Sequence, residues 1–160
     1  MADFDFLKRY RLQNENDSTN KEGMKHVFFP LYKRDILNLE SEIDALIPKE
    51  LEELYLEIGY GFLLNGYKSD FNRLLPPDII GLIMLREEQY EFDPDLEIYD
   101  DPNQLIFYEV NEGLYLTVAL DNNEDKSPVF YFEDQISDSI EAFLRALDED
   151  PEYLRQFSED

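Results

Sequence analysis

Cysteine and tryptophan are absent from this chain of 160 residues, and histidine occurs once, as His26. Without cysteine the chain cannot form a disulfide framework, a thiolate metal site or a cysteine nucleophile. That absence fits a reducing compartment, so we expect a cytoplasmic protein. The sequence also lacks the apolar core of a signal peptide and any run of about 18 apolar residues. We therefore expect neither secretion nor a membrane-spanning helix.

Basic residues are few, and they are scarcest in the second half of the chain. The sequence has 38 acidic and 14 basic residues and a formal net charge of −24. Residues 1–86 hold 15 acids and 11 bases, whereas residues 87–160 hold 23 acids and 3 bases. Such a field repels nucleic acid and anionic membranes and attracts a basic protein, so we expect a protein partner and neither nucleic acid nor a membrane. The alternative interpretation is a solvated surface that serves solubility alone.

The closely spaced glycines Gly59, Gly61 and Gly66 could suggest a phosphate-binding loop. In dinucleotide-binding and P-loop proteins such glycines follow a strand and open a helix. Here they follow a predicted helix, where a glycine can adopt the left-handed conformation that ends helices. The order of elements therefore predicts a helix end and not a nucleotide site.

A calcium site is suggested by Asp121, Asn123 and Asp125, which match the first ligands of an EF-hand loop. Lys126 stands where that loop needs glycine, and Phe132 stands where it needs a bidentate glutamate. A turn between two strands explains these residues better. We expect no metal site and no cofactor.

Catalytic signatures are equally sparse. The chain has no Gly-x-Ser-x-Gly motif, and a lone His26 does not by itself indicate a general base. The many carboxylates could supply the acid pair of a glycoside hydrolase, which leaves a carboxylate hydrolase as a third-ranked alternative. We expect a protein without enzymatic activity.

Helical periodicity predicts three helices in the first part of the chain. The first runs from about Asp35 to Leu46, and the second runs from Pro48 to Gly59. The second buries a stripe formed by Leu51, Leu54, Tyr55 and Ile58. A third helix begins near Asp78, where Gly81 could interrupt it.

A block of strands follows the helices. LIFYEV at residues 105–110 and LYLTVAL at residues 114–120 predict an antiparallel hairpin, and VFYF at residues 129–132 predicts a third strand. A helix follows at residues 137–147, with a capping box of Asp138 and Glu141. Its buried stripe consists of Ile140, Phe143, Leu144 and Leu147. Helices, then strands, then helices indicate an α+β fold.

The order of these segments resembles the SUKH superfamily, a group named partly for a yeast regulator of cell-wall synthesis. Glu40 lies eight residues before Pro48 in LESEIDALIPKELEELYLEIGYGFL, which is similar to the family's acidic residue followed by Leu-Pro and a second helix. Ile47 replaces the usual leucine, and Gly59-Tyr60-Gly61 stands where many members have Asn-Gly-Gly. LLPPDIIGL, GLYLTVALDNNEDKSPVFYFED and SIEAFLRAL resemble the family's middle segment, its strand pair around an Asp-containing turn, and its closing helix.

The resemblance covers roughly residues 35–147 and implies an α+β fold with a central, mostly antiparallel sheet flanked by helices. It implies a single domain over residues 1–160, with an N-terminal extension at 1–34 and an acidic C-terminal helix at 148–160. It also implies a binding protein. Many bacterial members look like immunity proteins encoded beside polymorphic toxins, often nucleases, and the yeast members act as regulatory scaffolds.

Charge and resemblance together predict where the partner binds. A nuclease toxin tends to be basic where it holds nucleic acid, so an acidic inhibitor would meet it with complementary potential. We therefore predict an immunity protein that binds and blocks a basic toxin, with an intracellular regulatory or scaffold module as the alternative. The predicted partner-binding residues are Glu87, Glu88, Glu91, Asp93, Asp95, Glu97, Asp100 and Asp101.

Overall fold

A seven-stranded sheet forms the centre of the structure, a computed structural model that describes residues 2–13, 24–65 and 71–157. The strands lie across the sheet in chain order, and every neighbouring pair is antiparallel. They are β1 (Val27–Phe29), β2 (Tyr60–Phe62), β3 (Arg73–Leu74), β4 (Gln104–Asn111), β5 (Leu114–Ala119), β6 (Val129–Tyr131) and β7 (Asp134–Ser137). With the helices, this sheet makes a single-domain α+β fold, which confirms the predicted fold class.

Four α-helices accompany the sheet in the described residues: α1 (Lys33–Ile43), α2 (Lys49–Glu57), α3 (Pro77–Met84) and α4 (Ile140–Glu149). Shorter 3₁₀ helices span Asp5–Tyr10, Glu88–Tyr90, Pro94–Tyr99 and Tyr153–Gln156. The two predicted apolar stripes, at α2 and α4, are confirmed because all their side chains are fully buried in the hydrophobic core. The break that the sequence left open at Gly81 does not occur, since α3 runs through it. No helix in the described ranges is both long enough and apolar enough to cross a membrane.

Helix α1 ends three residues earlier than its periodicity predicts. The helix stops before Asp44, which adopts a positive φ of 55°, and Leu46 is 75% exposed instead of buried. The Glu40 carboxylate supports this early end, because its Oε2 accepts a hydrogen bond from the Ile47 N–H at 2.8 Å. The acid of the family motif therefore holds the turn that leads from α1 into α2.

Gly59 and Gly61 lie where the backbones of β1 and β2 meet. Gly59 ends α2 as predicted, with a φ of +115° and an N–H that donates to a carbonyl of the last helical turn at 3.1 Å. The sequence did not predict that the following residues form β2 against β1. A Cβ at Gly59 would lie 1.8 Å from the carbonyl oxygen of Phe29, and one at Gly61 would lie 2.0 Å from that of Val27. The Gly-Tyr-Gly motif is thus a helix end joined to a strand whose close approach only glycine permits.

The start of α4 differs from the predicted capping box of Asp138 and Glu141. The helix cap is Ser139, whose Oγ accepts a hydrogen bond from the Ala142 N–H at 2.9 Å. Strand β7, which ends two residues before the cap, was also not predicted. A serine hydroxyl at this position satisfies one of the helix's otherwise free N–H groups, so the structure has a different cap with the same purpose.

Glu50 is a buried carboxylate that joins three parts of the chain. It is 1% exposed. Its Oε1 accepts hydrogen bonds from the N–H groups of Ser127 and Ile140, each at 2.8 Å, and its Oε2 accepts one from the Glu141 N–H at 3.0 Å. A carboxylate is favourable at a helix N-terminus, where the backbone dipoles leave positive partial charge. Glu50 therefore attaches α4 and the β5–β6 turn to α2.

The two ends of the chain are more closely integrated than the sequence suggested. The segment at residues 1–34, expected as an extension, supplies β1 and the fully buried Phe4 and Leu7. In the stretch 148–160, expected as an acidic helix, α4 takes in residues 148–149, and the 3₁₀ helix Tyr153–Gln156 follows. Residues 158–160 lie outside the described ranges, as does Gly66.

Candidate protein-binding surface

The acidic segment, residues 87–101, connects α3 to β4 through the 3₁₀ helices Glu88–Tyr90 and Pro94–Tyr99. It carries the eight carboxylates that the sequence predicts at the partner surface. Seven of them are exposed: Glu87, Glu88, Glu91, Asp95, Glu97, Asp100 and Asp101. Asp93 is half-buried, and its Oδ1 accepts a hydrogen bond from the Asp95 N–H at 2.9 Å, which caps the second 3₁₀ helix. Asp93 thus shapes the segment, while the other seven carboxylates face solvent.

Tyr99 attaches the acidic segment to the sheet. Its hydroxyl accepts a hydrogen bond from the Tyr115 N–H of β5 at 2.9 Å, and the two rings meet edge to face at 5.4 Å between centroids. Leu96, which is 1% exposed, adds a contact with the hydrophobic core. The segment is therefore held on the protein at two buried side chains, which lowers the entropy that binding a partner would cost.

Arg86 immediately precedes the acidic segment, but it binds backbone. Its guanidinium donates to the carbonyl oxygens of Ile83, Leu96 and Tyr99, the last at 2.8 Å. Across the described ranges, none of the eight carboxylates forms an ion pair with a lysine, arginine or histidine; the pairs found there involve other acids. Among the described residues, the negative charge of the segment therefore faces solvent without ion pairs, and Arg86 offsets only part of it.

Glu109 on β4 adds a partly buried carboxyl beside this surface. It lies opposite Arg73 in the β3–β4 register. Burial raises the pKa of Glu109, an effect that the Arg73 charge opposes and the Glu112 charge reinforces. Tyr90 of the acidic segment lies close by, since burial and then the Glu109 charge raise the pKa of its phenol. Sequence reasoning did not single out Glu109, because nothing in a strand pattern distinguishes a half-buried acid from an exposed one.

Exposed apolar side chains accompany the acids. Phe92 is 87% exposed, Ile98 is 63% exposed and Leu85 is 44% exposed. Phe92 borders a shallow depression of about 350 Å³ whose lining includes Leu96 and several of the carboxylates. Sequence reasoning missed these residues. In the stretch EQYEFDPDLEIY most of the large apolar residues stand at alternate positions, interrupted by Asp-Pro-Asp, and this alternation with acids was the available signal.

His26, the single histidine, is buried and hydrogen-bonded within the fold. The ring is fully buried, its Nε2 is hydrogen-bonded to Asp148 Oδ1 at 2.8 Å, and its Nδ1 accepts a hydrogen bond from the Leu64 N–H at 3.0 Å. Burial lowers the pKa of His26 and outweighs the opposing effect of the Asp148 carboxylate. A neutral ring with its proton on Nε2 satisfies both contacts, so His26 connects the end of α4 to the region around β1 and β2.

The β5–β6 turn contains the residues that resemble calcium ligands, Asp121, Asn123 and Asp125. Asn122 organises the turn, because its amide nitrogen donates to the Lys126 carbonyl oxygen at 2.7 Å and its Oδ1 accepts from the Glu124 N–H at 2.8 Å. Within the part of the chain that the structure describes, no group of three or more histidine, aspartate or glutamate side chains is placed to hold a metal ion.

Comparison with known proteins adds two findings. The model of a family described as the SMI1/KNR4 family (SUKH-1) matches residues 30–146, close to the range in which the sequence resembles the SUKH superfamily. A Bacillus subtilis (strain 168) protein named immunity protein YxxD is 34% identical over 142 residues, a match that covers 88% of this chain and 95% of that protein. No solved structure matches the chain significantly.

Proposed function

Because this chain belongs to the SMI1/KNR4 family (SUKH-1), we propose that it is an immunity protein that binds and neutralises a cognate toxin. Its similarity to a protein named as an immunity protein supports this role. In this proposal the chain works by covering a surface of the toxin and performs no chemistry itself. The cytoplasm, which the composition led us to expect, is the proposed compartment.

The observation that carries the proposal is the exposed negative charge of the acidic segment. Like charges that crowd one surface repel one another and cost stability. Arg86 lines the same depression as Glu91 and Glu97, and its single positive charge offsets only part of that repulsion. The segment is nevertheless attached firmly by Tyr99 and Arg86. A basic partner would relieve it. We therefore propose the acidic segment, with the exposed Glu91, Asp95 and Glu97 at its middle, as the centre of the toxin-binding surface.

A nuclease domain is the toxin class that fits this surface best. Such a domain presents lysine and arginine side chains where it binds the phosphate backbone. Carboxylates placed against those side chains would exclude nucleic acid by occupying the same cations. Complementary charge also raises the rate of association, which suits an inhibitor that must capture its toxin before the toxin acts.

Co-expression tests the proposal. The proposal expects a toxin gene beside this one. The C-terminal domain of its product is made in bacterial cells with the protein, and separately with a variant in which the seven exposed carboxylates are changed to Asn or Gln. We expect the protein to restore growth and to co-purify with the toxin domain, and we expect the variant to do neither.

Failure of the unmodified protein both to protect cells and to co-purify would contradict the proposal. Capture of a host protein without protection from the toxin would instead favour the regulatory or scaffold alternative. Protection by the neutralised variant at full strength would retain the immunity role and remove the acidic segment from the interface.

A further inference from the structure

We propose that Phe92 is the apolar anchor of the toxin interface and that it inserts into a pocket with a basic rim on the toxin. This inference rests on the proposed function. It adds the side chain that holds the complex together after charge attraction has brought the two proteins into contact.

Phe92 has the highest exposure of any large apolar side chain in the described residues, at 87%. A phenyl ring in water forgoes the stabilisation that burial would give. Residues near it in sequence are less exposed: Tyr90 is half-buried beside Glu109, and Asp93 is half-buried and caps the following 3₁₀ helix. The fold thus directs this one ring outward from the middle of the acidic segment.

The backbone on both sides of Phe92 is fixed. Before it, the Glu91 N–H donates to the Glu88 carbonyl oxygen at 3.1 Å. After it, the Leu96 N–H donates to the Asp93 carbonyl oxygen at 3.2 Å, and Leu96 is buried. A backbone that is already held in place loses little conformational freedom on binding, which favours affinity.

The surroundings of Phe92 have the composition of a protein interface. Ile98 is exposed on the same segment, and the exposed Phe132 stacks on Tyr99 with 6.1 Å between ring centroids. Along the segment, Glu91 and Asp93 flank Phe92, and Glu97 precedes Ile98. An apolar centre within a charged rim is the usual arrangement of a protein interface, and aromatic residues near its centre carry much of the binding energy.

Charge complementarity identifies the occupant. Glu91 and Glu97 line the same depression as Phe92, so a partner that covers the ring must also meet these carboxylates. A second copy of this chain, docked symmetrically, would bring two acidic segments together and be repelled. A basic protein surface with an apolar pocket would be attracted, and the proposed toxin is such a partner.

Binding kinetics of single variants test the inference. The purified full-length protein, Phe92→Ala, Phe92→Leu and the control Leu46→Ala are each bound to the immobilised toxin domain encoded beside the gene, at two salt concentrations. Leu46 is a matched control because it is 75% exposed and lies between α1 and α2, outside the acidic segment. Thermal unfolding is measured for each variant, and we expect it to be unchanged because both side chains are largely in solvent.

We expect Phe92→Ala to dissociate roughly 30-fold faster, as for truncation of an interface hot spot, with an association rate and salt dependence close to those of the unmodified protein. Phe92→Leu should lose less, and Leu46→Ala should change neither rate. Dissociation of Phe92→Ala within twofold of the unmodified protein, or equal losses in Leu46→Ala, would overturn the anchor while leaving the immunity role intact. An absence of binding by the unmodified protein would overturn both proposals.

Discussion

Glu50 and the acidic segment use the same chemical group in opposite ways. Glu50 is almost completely buried and accepts three backbone hydrogen bonds, so its negative charge is stabilised by donors within the protein. Glu40 acts similarly at the α1–α2 turn. The carboxylates of the acidic segment face solvent, and their charge acts outward. The net charge of −24 is therefore a sum over two populations of carboxylates, one hydrogen-bonded within the fold and one exposed to solvent.

Removing the buried carboxylate should have the largest effect. Glu50→Ala leaves two buried N–H donors and one partly buried donor without their acceptor. Each buried donor costs about 1–3 kcal/mol, so we expect a loss of roughly 3 kcal/mol or more in the free energy of unfolding. Urea denaturation measures it. The matched control is Glu97→Ala in the acidic segment, where an exposed side chain should change stability by about 0.5 kcal/mol or less. Similar losses in both variants would mean that the two populations do not differ.

Reversing charge in the acidic segment should affect binding and spare the fold. We expect Glu91→Lys, Asp95→Lys and Glu97→Lys together to slow association with the toxin domain by roughly tenfold or more at low salt and to flatten its salt dependence. The thermal midpoint should stay the same or rise, because self-repulsion falls. Asp93 is left unchanged, since it caps a 3₁₀ helix. Association rates measured over a range of ionic strength provide the test.

The control for that experiment is a second triple variant with the same change in net charge. Asp121→Lys, Glu124→Lys and Asp125→Lys lie in the β5–β6 turn, where all three side chains are exposed. If the interface is the acidic segment, this variant should slow association less. An equal effect of the two triple variants would show that the partner responds to total charge and not to the acidic segment.

Glu109 is intermediate between the two populations, and we expect a small effect there. Burial raises its pKa above the ordinary 4.5, so the folded state holds this proton more tightly than the unfolded state does. The stability it contributes is present below pH 4.5 and is lost as the pH rises through the raised pKa. Glu109→Gln should therefore raise the thermal midpoint slightly at pH 7 and leave it nearly unchanged at pH 4. A lower midpoint at pH 7 would mean that attraction to Arg73 outweighs burial; the exposed Glu133→Gln is the control.

Periodic patterns allowed the longer elements to be predicted from the sequence. The stripes of α2 and α4 and the hairpin of β4 and β5 are each long enough to show their spacing. Strands β1, β2 and β3 have two or three residues, too few to show an alternation, and they form because other parts of the chain bring them together. The predicted end of α1 was wrong for a related reason. The helix ends where the Glu40 side chain accepts a hydrogen bond from the Ile47 N–H, and periodicity does not show that contact.

The exposure of the acidic segment was predictable from the sequence, whereas its role as a binding surface stays a prediction. Composition alone placed the acids at residues 87–101, and the structure puts seven of the eight in solvent. Composition could not separate Asp93, which caps a helix, from its neighbours, nor show that Phe92 is exposed. Both properties depend on how Tyr99 and Arg86 attach the segment, and those contacts join residues that are distant along the chain or that use backbone atoms.

The order of the strands bears on how soon the protein becomes active during synthesis. Each strand pairs with the next in the chain, so sheet formation can follow the growing polypeptide, and such local pairing favours fast folding. The contacts with α4 form later. Glu50 and His26 find their partners, the Ile140 N–H and Asp148, only after α4 has been synthesised. An immunity protein made alongside its toxin would thus carry a nearly finished sheet as it leaves the ribosome. Once α4 has emerged, its N-terminal N–H groups and Asp148 would complete the hydrogen bonds that join this helix to the rest of the fold.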